Sequence, residues 1–291
     1  MTLRVHEMFD LAESTEAALQ RECVRVGQHL YVRSRAELNL GQVGSEALQD
    51  FPVVFAMGGD GSRLRHVTGA TSSKHLIGVN GKRLCQHAFD MWRTQGVTEF
   101  RMLVDDSPGG SEIRQFFGNG EPFVTRIQYF IERSKLGAGG ALREAILAGL
   151  VDRSFILHYP DDQVVGYADF PVDFARAAVA AMRAGYQVVV LCVPGTLYPW
   201  GEIPDERGEV VDFVEKPFIN KDSYTGVCAV HQSAFELIKA LDTGQPVKLE
   251  RTVFKELAKR GKIFKVIMPT ECWFPVNDAP GLQRFEQATR P

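Results

Sequence analysis

The sequence predicts an α/β protein whose mostly parallel sheet is covered by helices on both faces. Two observations predict it. From residue 52 onward, short continuous apolar runs alternate with segments of helical spacing. Runs of that kind, ended by turn residues, read as strands buried on both sides. Strands separated by whole helices imply βαβ units, and such crossovers bring the strands in parallel.

The elements follow in order. A helix is expected from the Ser14/Thr15 region to about Arg25, then a segment at 31–35 and a Gly-containing loop. No chemistry is legible there, so residues 1–50 read as an N-terminal extension packed on the main domain or on a neighbouring subunit. The run at 52–57 (PVVFAM) is the first buried strand, ended by glycines. Residues 83–95 carry Leu84, His87, Ala88 and Met91 on one helical face. Strands are expected at 100–104, 127–131, 155–158 and 187–193. Helices are expected at 111–117, with a Ser start signal, at 140–150 and at 170–184. After residue 195 the pattern changes. Segments 210–214 and 225–230 read as strands, 233–241 and 250–260 as helices, 262–268 as a strand, and a last helix begins near Ala279. This second half reads as an α+β part growing out of the same sheet.

Composition narrows the function classes. The 291 residues carry 33 Lys and Arg against 36 Asp and Glu, so no basic excess suggests a nucleic-acid partner. A chain of this length buries roughly three quarters of its unfolded surface and needs no disulfide or metal staple. Cysteines 23, 85, 192, 228 and 272 are odd in number and form no CxxC pair, which excludes a disulfide framework or zinc knuckle. No apolar run approaches the ~20 residues of a membrane span, and the first residues lack a signal-peptide core. A reduced cytoplasmic protein is expected.

The chemistry concentrates directly after the first strand. Met57-Gly58-Gly59-Asp60-Gly61-Ser62-Arg63-Leu64 places three glycines in four positions, so backbone N–H groups can approach a ligand closely. The dinucleotide fingerprint would need Gly where Leu64 stands, and Lys74 lacks the P-loop context, since Ser73 precedes it and His75 follows. Arg63 and Lys74 add a bidentate guanidinium and a mobile ammonium, a combination suited to polyphosphate.

At this point the stretch GGDGSRL…TSSKHLIGVNGKRL resembles the signature of the nucleotidyltransferases that make NDP-sugars, the sugar-phosphate pyrophosphorylases. Lys74 stands at the family lysine and Asn80-Gly81-Lys82 at its GK turn. Ser73 and Arg83 replace two family prolines, which alters loop rigidity more than charge. Further similarities keep the family order: Leu136-Gly137-Ala138-Gly139-Gly140-Ala141, Tyr159-Pro160-Asp161-Asp162, Val214-Glu215-Lys216-Pro217, Thr225-Gly226-Val227 and Trp273-Phe274-Pro275-Val276-Asn277-Asp278. The resemblance spans about 52–289. It implies a Rossmann-like, mixed but mostly parallel sheet sandwiched by helices, the nucleotidyltransferase fold. Its domain would cover 51–291, with a nucleotide-binding half at 51–195 and a sugar-phosphate-binding half at 196–291. No β-helix tail is expected, because the chain ends too soon for one.

The implied reaction joins a sugar 1-phosphate to an NTP and releases pyrophosphate, with Mg²⁺ as cofactor. The protein's share is positioning and charge neutralisation. The resemblance assigns Gly58, Gly59, Gly61 and Ser62 to the nucleotide and its phosphates, Arg63 to the leaving pyrophosphate and Lys74 to the α-phosphate. Gly137 belongs to the segment that opens a helix beneath the nucleotide. Asp161 and Asn277 are the implied metal ligands, with Asp162 and Asp278 as their alternatives. Pro160, where the family has glycine, leaves the backbone there open. Gly201, Glu215, Lys216, Thr225 and Gly226 would shape the sugar-phosphate pocket.

Glu132 lies where related enzymes place a base-reading Gln or Glu. A carboxylate suits the adjacent N–H donors of guanine, so the base choice leans toward GTP, with UTP, dTTP, CTP and ATP remaining open. Trp92, Trp200 and Trp273 read as packing residues, although Trp200 also flanks Gly201. His75 follows Lys74, but the seven histidines show no metal spacing. Rival activities are a glycosyltransferase of GT-A type using an NDP-sugar, a non-catalytic homologue, and transfer to a cyclitol or non-sugar phosphate. No nucleic-acid or membrane partner is implied, and a homo-oligomer is the family-level expectation.

Overall fold

The described part of the chain, residues 19–20, 23–32, 38–58, 64, 73–198 and 200–290 of a computed structural model, is built on a nine-stranded sheet. Numbered along the chain, the strands of this sheet and of a small ribbon beside it are β1 (Val24–Val26), β2 (Leu30–Val32), β3 (Val53–Ala56), β4 (Glu99–Asp105), β5 (Arg126–Glu132), β6 (Phe155–His158), β7 (Asp162–Val164), β8 (Val188–Val193), β9 (Ser223–Val230), β10 (Ile263–Ile267) and β11 (Trp273–Pro275). The order across the sheet is β1-β2-β10-β8-β9-β6-β3-β4-β5, while β7 and β11 pair with each other. Following the pairings, β1, β3, β4, β5, β6, β8 and β10 run one way, and β2 and β9 run against them.

Helices cover both faces. On one side lie α1 (Leu84–Thr94), α2 (Pro108–Phe117) and α4 (Phe170–Arg183). On the other lie α3 (Gly137–Leu147), α5 (Phe235–Lys239) and α6 (Val253–Lys259). Strand β3 shows why both faces are needed. All four of its residues are buried, with Val53 and Phe55 in the first core and Val54 and Ala56 in the second. Helix α1 presents Cys85, Ala88, Phe89 and Trp92 to the first core, and Phe89 packs within 4.5 Å of Phe100, centroid to centroid. Helix α7 (Ala279–Ala288) sets Leu282 and Phe285 against Leu64, Val79, Leu84 and Val276, which anchors the end of the chain beside the start of α1.

Three expectations need correction. The helix expected to run to about Arg25 does not reach that far, because Val24–Val26 is strand β1. It pairs with β2, which joins β10, so a β-branched stretch completes the sheet edge instead of continuing a helix. The strand expected at 210–214 shrinks to the two-residue pair Glu209–Val210, with a single bridge between Val214 and Glu202. Its neighbours stay exposed, so no burial favours a longer strand. Helix α2 begins at Pro108, not Ser111, because Ser107 is the cap: its Oγ accepts from the Gly110 N–H at 3.1 Å and proline occupies the first turn. The GK turn is a tight hairpin in which Asn80 (φ 46°) and Gly81 (φ 81°) are both left-handed, as a primed two-residue turn requires.

The β1–β2 hairpin is locked to α4 by one buried acid. Asp173 is 6% exposed, and its Oδ2 accepts from the Gln28 N–H at 3.1 Å and from the Tyr167 hydroxyl at 2.5 Å. Gly27, at φ +69°, turns directly over this carboxylate, where any Cβ would overlap it. Asp173→Ala strands both donors, and each buried donor left unpaired costs about 1–3 kcal/mol. Urea unfolding should show the loss in Asp173→Ala and recover most of it in Asp173→Asn. An unchanged midpoint in the alanine variant would mean that the hairpin is held by something else.

Candidate active site

Of the predicted site residues, Gly58, Glu132 and Asp161 lie at the carboxyl ends of β3, β5 and β6, with β4 between β3 and β5. These four strands stand in the order β6-β3-β4-β5, so the chain leaves β3 first toward β4 and later returns to its other side. Such a reversal opens a crevice at the strand ends, the usual place for a ligand in open α/β sheets. Gly58 follows β3 and Asp161 follows β6, on either side of it. Gly59, Gly61, Ser62 and Arg63 lie outside the described residues.

The turn after β6 is the most thoroughly bonded segment of the site. Asp162 N–H donates to the Tyr159 carbonyl at 2.8 Å, closing a β-turn with Pro160 and Asp161 at its centre. Proline suits the first central position because its φ is already set. The Pro160 carbonyl accepts from Gln163 Nε2 at 2.6 Å, and the same amide nitrogen reaches the Leu84 carbonyl at 3.0 Å. The Asp161 carbonyl accepts from the Val276 N–H at 2.8 Å. The β7–β11 ribbon places Pro275 opposite Asp162, so Asn277 follows directly after the residue bonded to Asp161.

Asp161 is 7% exposed and forms an ion pair with Lys74. Burial pushes its carboxyl up, but the Lys74 ammonium and the neighbouring His75 outweigh this and hold it below the usual range. Asp162 goes the other way. Burial, and then the Asp161 charge, push it well above the ordinary carboxylate value. Its Oδ1 accepts from the Trp273 indole at 3.0 Å, and its Oδ2 crowds the position where Gly226 would carry a Cβ. Asp278 caps α7, accepting from the Gly281 N–H at 2.8 Å. Both alternative ligands are thus engaged elsewhere, Asp162 with the Trp273 indole and Asp278 as a helix cap, while Asp161 carries the negative charge.

An ionised carboxylate and an amide oxygen are hard donors of the kind Mg²⁺ takes from protein, and phosphates complete its shell. The donor set therefore fits Mg²⁺. Among the described residues no group of three or more His, Cys, Asp or Glu could hold a metal, so an ion here would draw further ligands from a substrate.

Glu132 ends β5 and reaches two ways. Its Oε1 accepts from the Leu136 N–H at the start of α3, with the Gly137 amide also favouring the charged form. Burial is the larger influence and raises its pKa. Its Oε2 faces Gly58, where a Cβ would lie 3.1 Å away. Gly137 has φ +70° and lies so close to the Val247 backbone that a Cβ would meet its carbonyl oxygen at 2.7 Å. This clamp, with Gly139 N–H donating to the same carbonyl at 2.9 Å, fixes where α3 starts. The helix begins at Gly137, not at residue 140, for that reason.

The predicted sugar-phosphate residues fall into two groups. Gly201 and Glu215 come together: a Cβ on Gly201 would stand 3.6 Å from the Glu215 carboxylate, and Glu202 and Val214 exchange backbone bonds at 2.8 and 2.9 Å. Glu215 and Lys216 are exposed and pair at 3.9 Å, with Lys216 in a left-handed conformation (φ 49°). Thr225 is different. It is fully buried, and its hydroxyl donates to the Leu191 carbonyl at 3.0 Å. The Gly226 carbonyl accepts from the Tyr159 N–H at 3.1 Å, tying this motif to the Asp161 turn.

Sequence reasoning missed several participants. Gln163, Trp273 and His158 all hold the Asp161 turn; Gln163 and His158 carry no motif signal, and Trp273, although inside a family-like segment, reads as a packing residue. His75 does approach the site, but buried, with its pKa lowered to about 4 chiefly by desolvation. His158 is likewise buried and lowered to about 4 for the same reason.

The model of the nucleotidyl transferase family matches residues 52–265. A putative glucose-1-phosphate thymidylyltransferase from Bacillus anthracis, solved with sucrose, is similar over 82% of this chain and 95% of its own, at TM-score 0.63 and 19% identity. A UDP-glucose pyrophosphorylase, solved with UDP-glucose, is similar over 82% of this chain and 97% of its own, at TM-score 0.58 and 16% identity. At these identities the likeness shows the fold. No curated protein matches the sequence.

Gly226→Ala should damage the turn directly. The φ of +77° costs a non-glycine residue about 1–3 kcal/mol, and the new methyl meets the Asp162 carboxylate. With roughly 2–4 °C of Tm per kcal/mol for a chain of this size, calorimetry should show a drop of several degrees. A wild-type Tm would mean that Gly226 and Asp162 do not pack as described.

Proposed function

The chain belongs to the nucleotidyl transferase family, and we propose that it joins a sugar 1-phosphate to an NTP, forming an NDP-sugar and pyrophosphate. The observation that carries this is the Lys74–Asp161 pair at the crevice between the ends of β3 and β6. It sets a cation and an ionised carboxylate side by side. That is what transfer at a phosphorus needs from a protein: charge neutralisation and alignment, with little covalent work.

In this mechanism a sugar-phosphate oxygen attacks the α-phosphorus in line with the departing pyrophosphate. Lys74, freed from Asp161, stabilises the charge that builds on the α-phosphate. Arg63 and the amides of Gly58, Gly59 and Gly61, with the Ser62 hydroxyl, hold the remaining phosphates. Asp161 and Asn277 would hold Mg²⁺, which when bound neutralises phosphate charge. Glu215 accepts hydrogen bonds from sugar hydroxyls, Lys216 meets the sugar phosphate, and Gly201, Thr225 and Gly226 shape the pocket through their backbones.

The base proposed is guanine. With Oε1 of Glu132 held by the α3 amides, Oε2 remains beside Gly58 as an acceptor. An ionised carboxylate only accepts, which favours the paired N–H donors of guanine over bases that present a donor beside an acceptor. Glu132→Gln should therefore narrow the ratio of kcat/KM for GTP over UTP and dTTP. A ratio unchanged by the substitution would remove Glu132 from base selection.

The deciding experiment measures pyrophosphate release with Mg²⁺, crossing five NTPs against a panel of sugar 1-phosphates. Release that requires one member of each set supports the proposal. Release only with a cyclitol or non-sugar phosphate moves the acceptor, and silence with NTP binding retained points to a glycosyltransferase. Lys74→Ala should lower turnover by at least about 10²–10³-fold, the loss typical for a group that stabilises transition-state charge. Near-normal turnover of that variant would take Lys74 out of the mechanism.

A further inference from the structure

Three carbonyls of the 159–162 turn are captured by the contacts described above. The fourth, on Asp162, accepts from His158 Nε2 at 2.6 Å. His158 ends β6 and is fully buried, with the Phe55 ring packed against it at 5.6 Å. Its other ring nitrogen, Nδ1, meets the Trp92 indole Nε1 at 2.9 Å. An indole N–H can only donate, so Nδ1 must be the acceptor and Nε2 must carry the proton. One tautomer is thereby imposed, and it is the one that can donate to the Asp162 carbonyl. A Trp92–His158–Asp162 chain thus runs from the buried face of α1 to the turn that presents Asp161.

We propose that His158 is a positioning residue for Asp161: its ring, oriented by Trp92, pins the Asp162 carbonyl at the end of the turn and so fixes the carboxylate that faces Lys74. Nothing in the hydrophobic core requires a histidine there. The flanking strand residues Ile156 and Leu157 are apolar and fully buried, and a buried polar ring is tolerated only because both nitrogens are bonded. The same logic governs residues that orient ligands from behind a reacting centre, whose loss typically lowers affinity or activity by 10–100-fold. Removing the ring would leave the Asp162 carbonyl unpaired, and the turn could then rotate the Asp161 carboxylate away from Lys74. The proposal rests on the nucleotidyl transfer assigned above for its kinetic arm, but not for its spectroscopic one.

The test uses full-length His158→Leu, with Trp92→Phe as a second variant that keeps most of the packing volume and leaves the ring unoriented. In ¹⁵N-labelled protein, His158→Leu should shift the Trp92 indole N–H resonance and the backbone amide resonances of Asp161, Asp162 and Val276. In the kinetic arm, kcat should fall by about 10–100-fold while KM for the NTP and the sugar phosphate stays within about twofold. Trp92→Phe should fall in the same direction by a smaller factor. In an Asp161→Asn background, His158→Leu should cause no further loss of kcat, since the group it positions is already gone. A general loss of packing would instead multiply through that background and raise both KM values. Unmoved Asp161 and Asp162 amides, or an undiminished kcat in folded His158→Leu, would overturn the proposal. An unaltered enzyme that turns over no substrate pair would fail the proposed function instead, and the amide resonances would still decide the role of His158.

Discussion

The structure around the site depends on one constraint: the four-residue turn after β6 must present a charged side chain from a dry edge of the sheet. A buried backbone carbonyl without a partner is expensive, and here each of the four finds one. The partners come from four different places, namely the turn itself, the β7 strand, the loop before α7 and the end of β6. Segments far apart in the chain are therefore obliged to meet at Asp161. The Val276 bond brings the residue before Asn277 there, and the Gly226 carbonyl, bonded to Tyr159, brings the TG motif.

The same turn separates two adjacent acids by function. Asp161 and Asp162 share a buried environment, and two charges that close would repel. The structure resolves this by giving Lys74 to Asp161, while burial and the Asp161 charge raise Asp162. One acid then stays ionised and the other is pushed toward its neutral form. The charge is concentrated on the residue that faces the crevice, while its neighbour packs against Gly226.

The antiparallel strand β9 links the two halves. Placed between β8 and β6, it runs against both, and its Thr225-Gly226 end meets the exit of β6 instead of the far side of the sheet. A parallel strand in that slot would put the motif at the opposite edge. The bulge between Val190 and Cys192 lies where Thr225 sends its hydroxyl to Leu191, so the register adjusts at the point where the motif is held.

The sequence by itself determined the alternation of buried strands and amphipathic helices, because burial on two faces and the 3.6-residue period are local, periodic properties. It also located the glycine-rich exit of β3 and Lys74, since small residues and charges next to apolar runs are conspicuous, while the acid pair after β6 was implied by the family resemblance. It misjudged the first strands and the 210–214 segment, where the same β-branched residues suit a helix edge, a strand or an exposed loop, and only neighbours choose. Tertiary structure alone decided which of two adjacent acids carries the charge. It likewise turned His158, Gln163 and Trp273 from apparent strand filling into braces for Asp161. These outcomes depend on partners 66 to 111 residues away in the chain, and hydrogen bonds between such distant groups leave no period or spacing in the sequence.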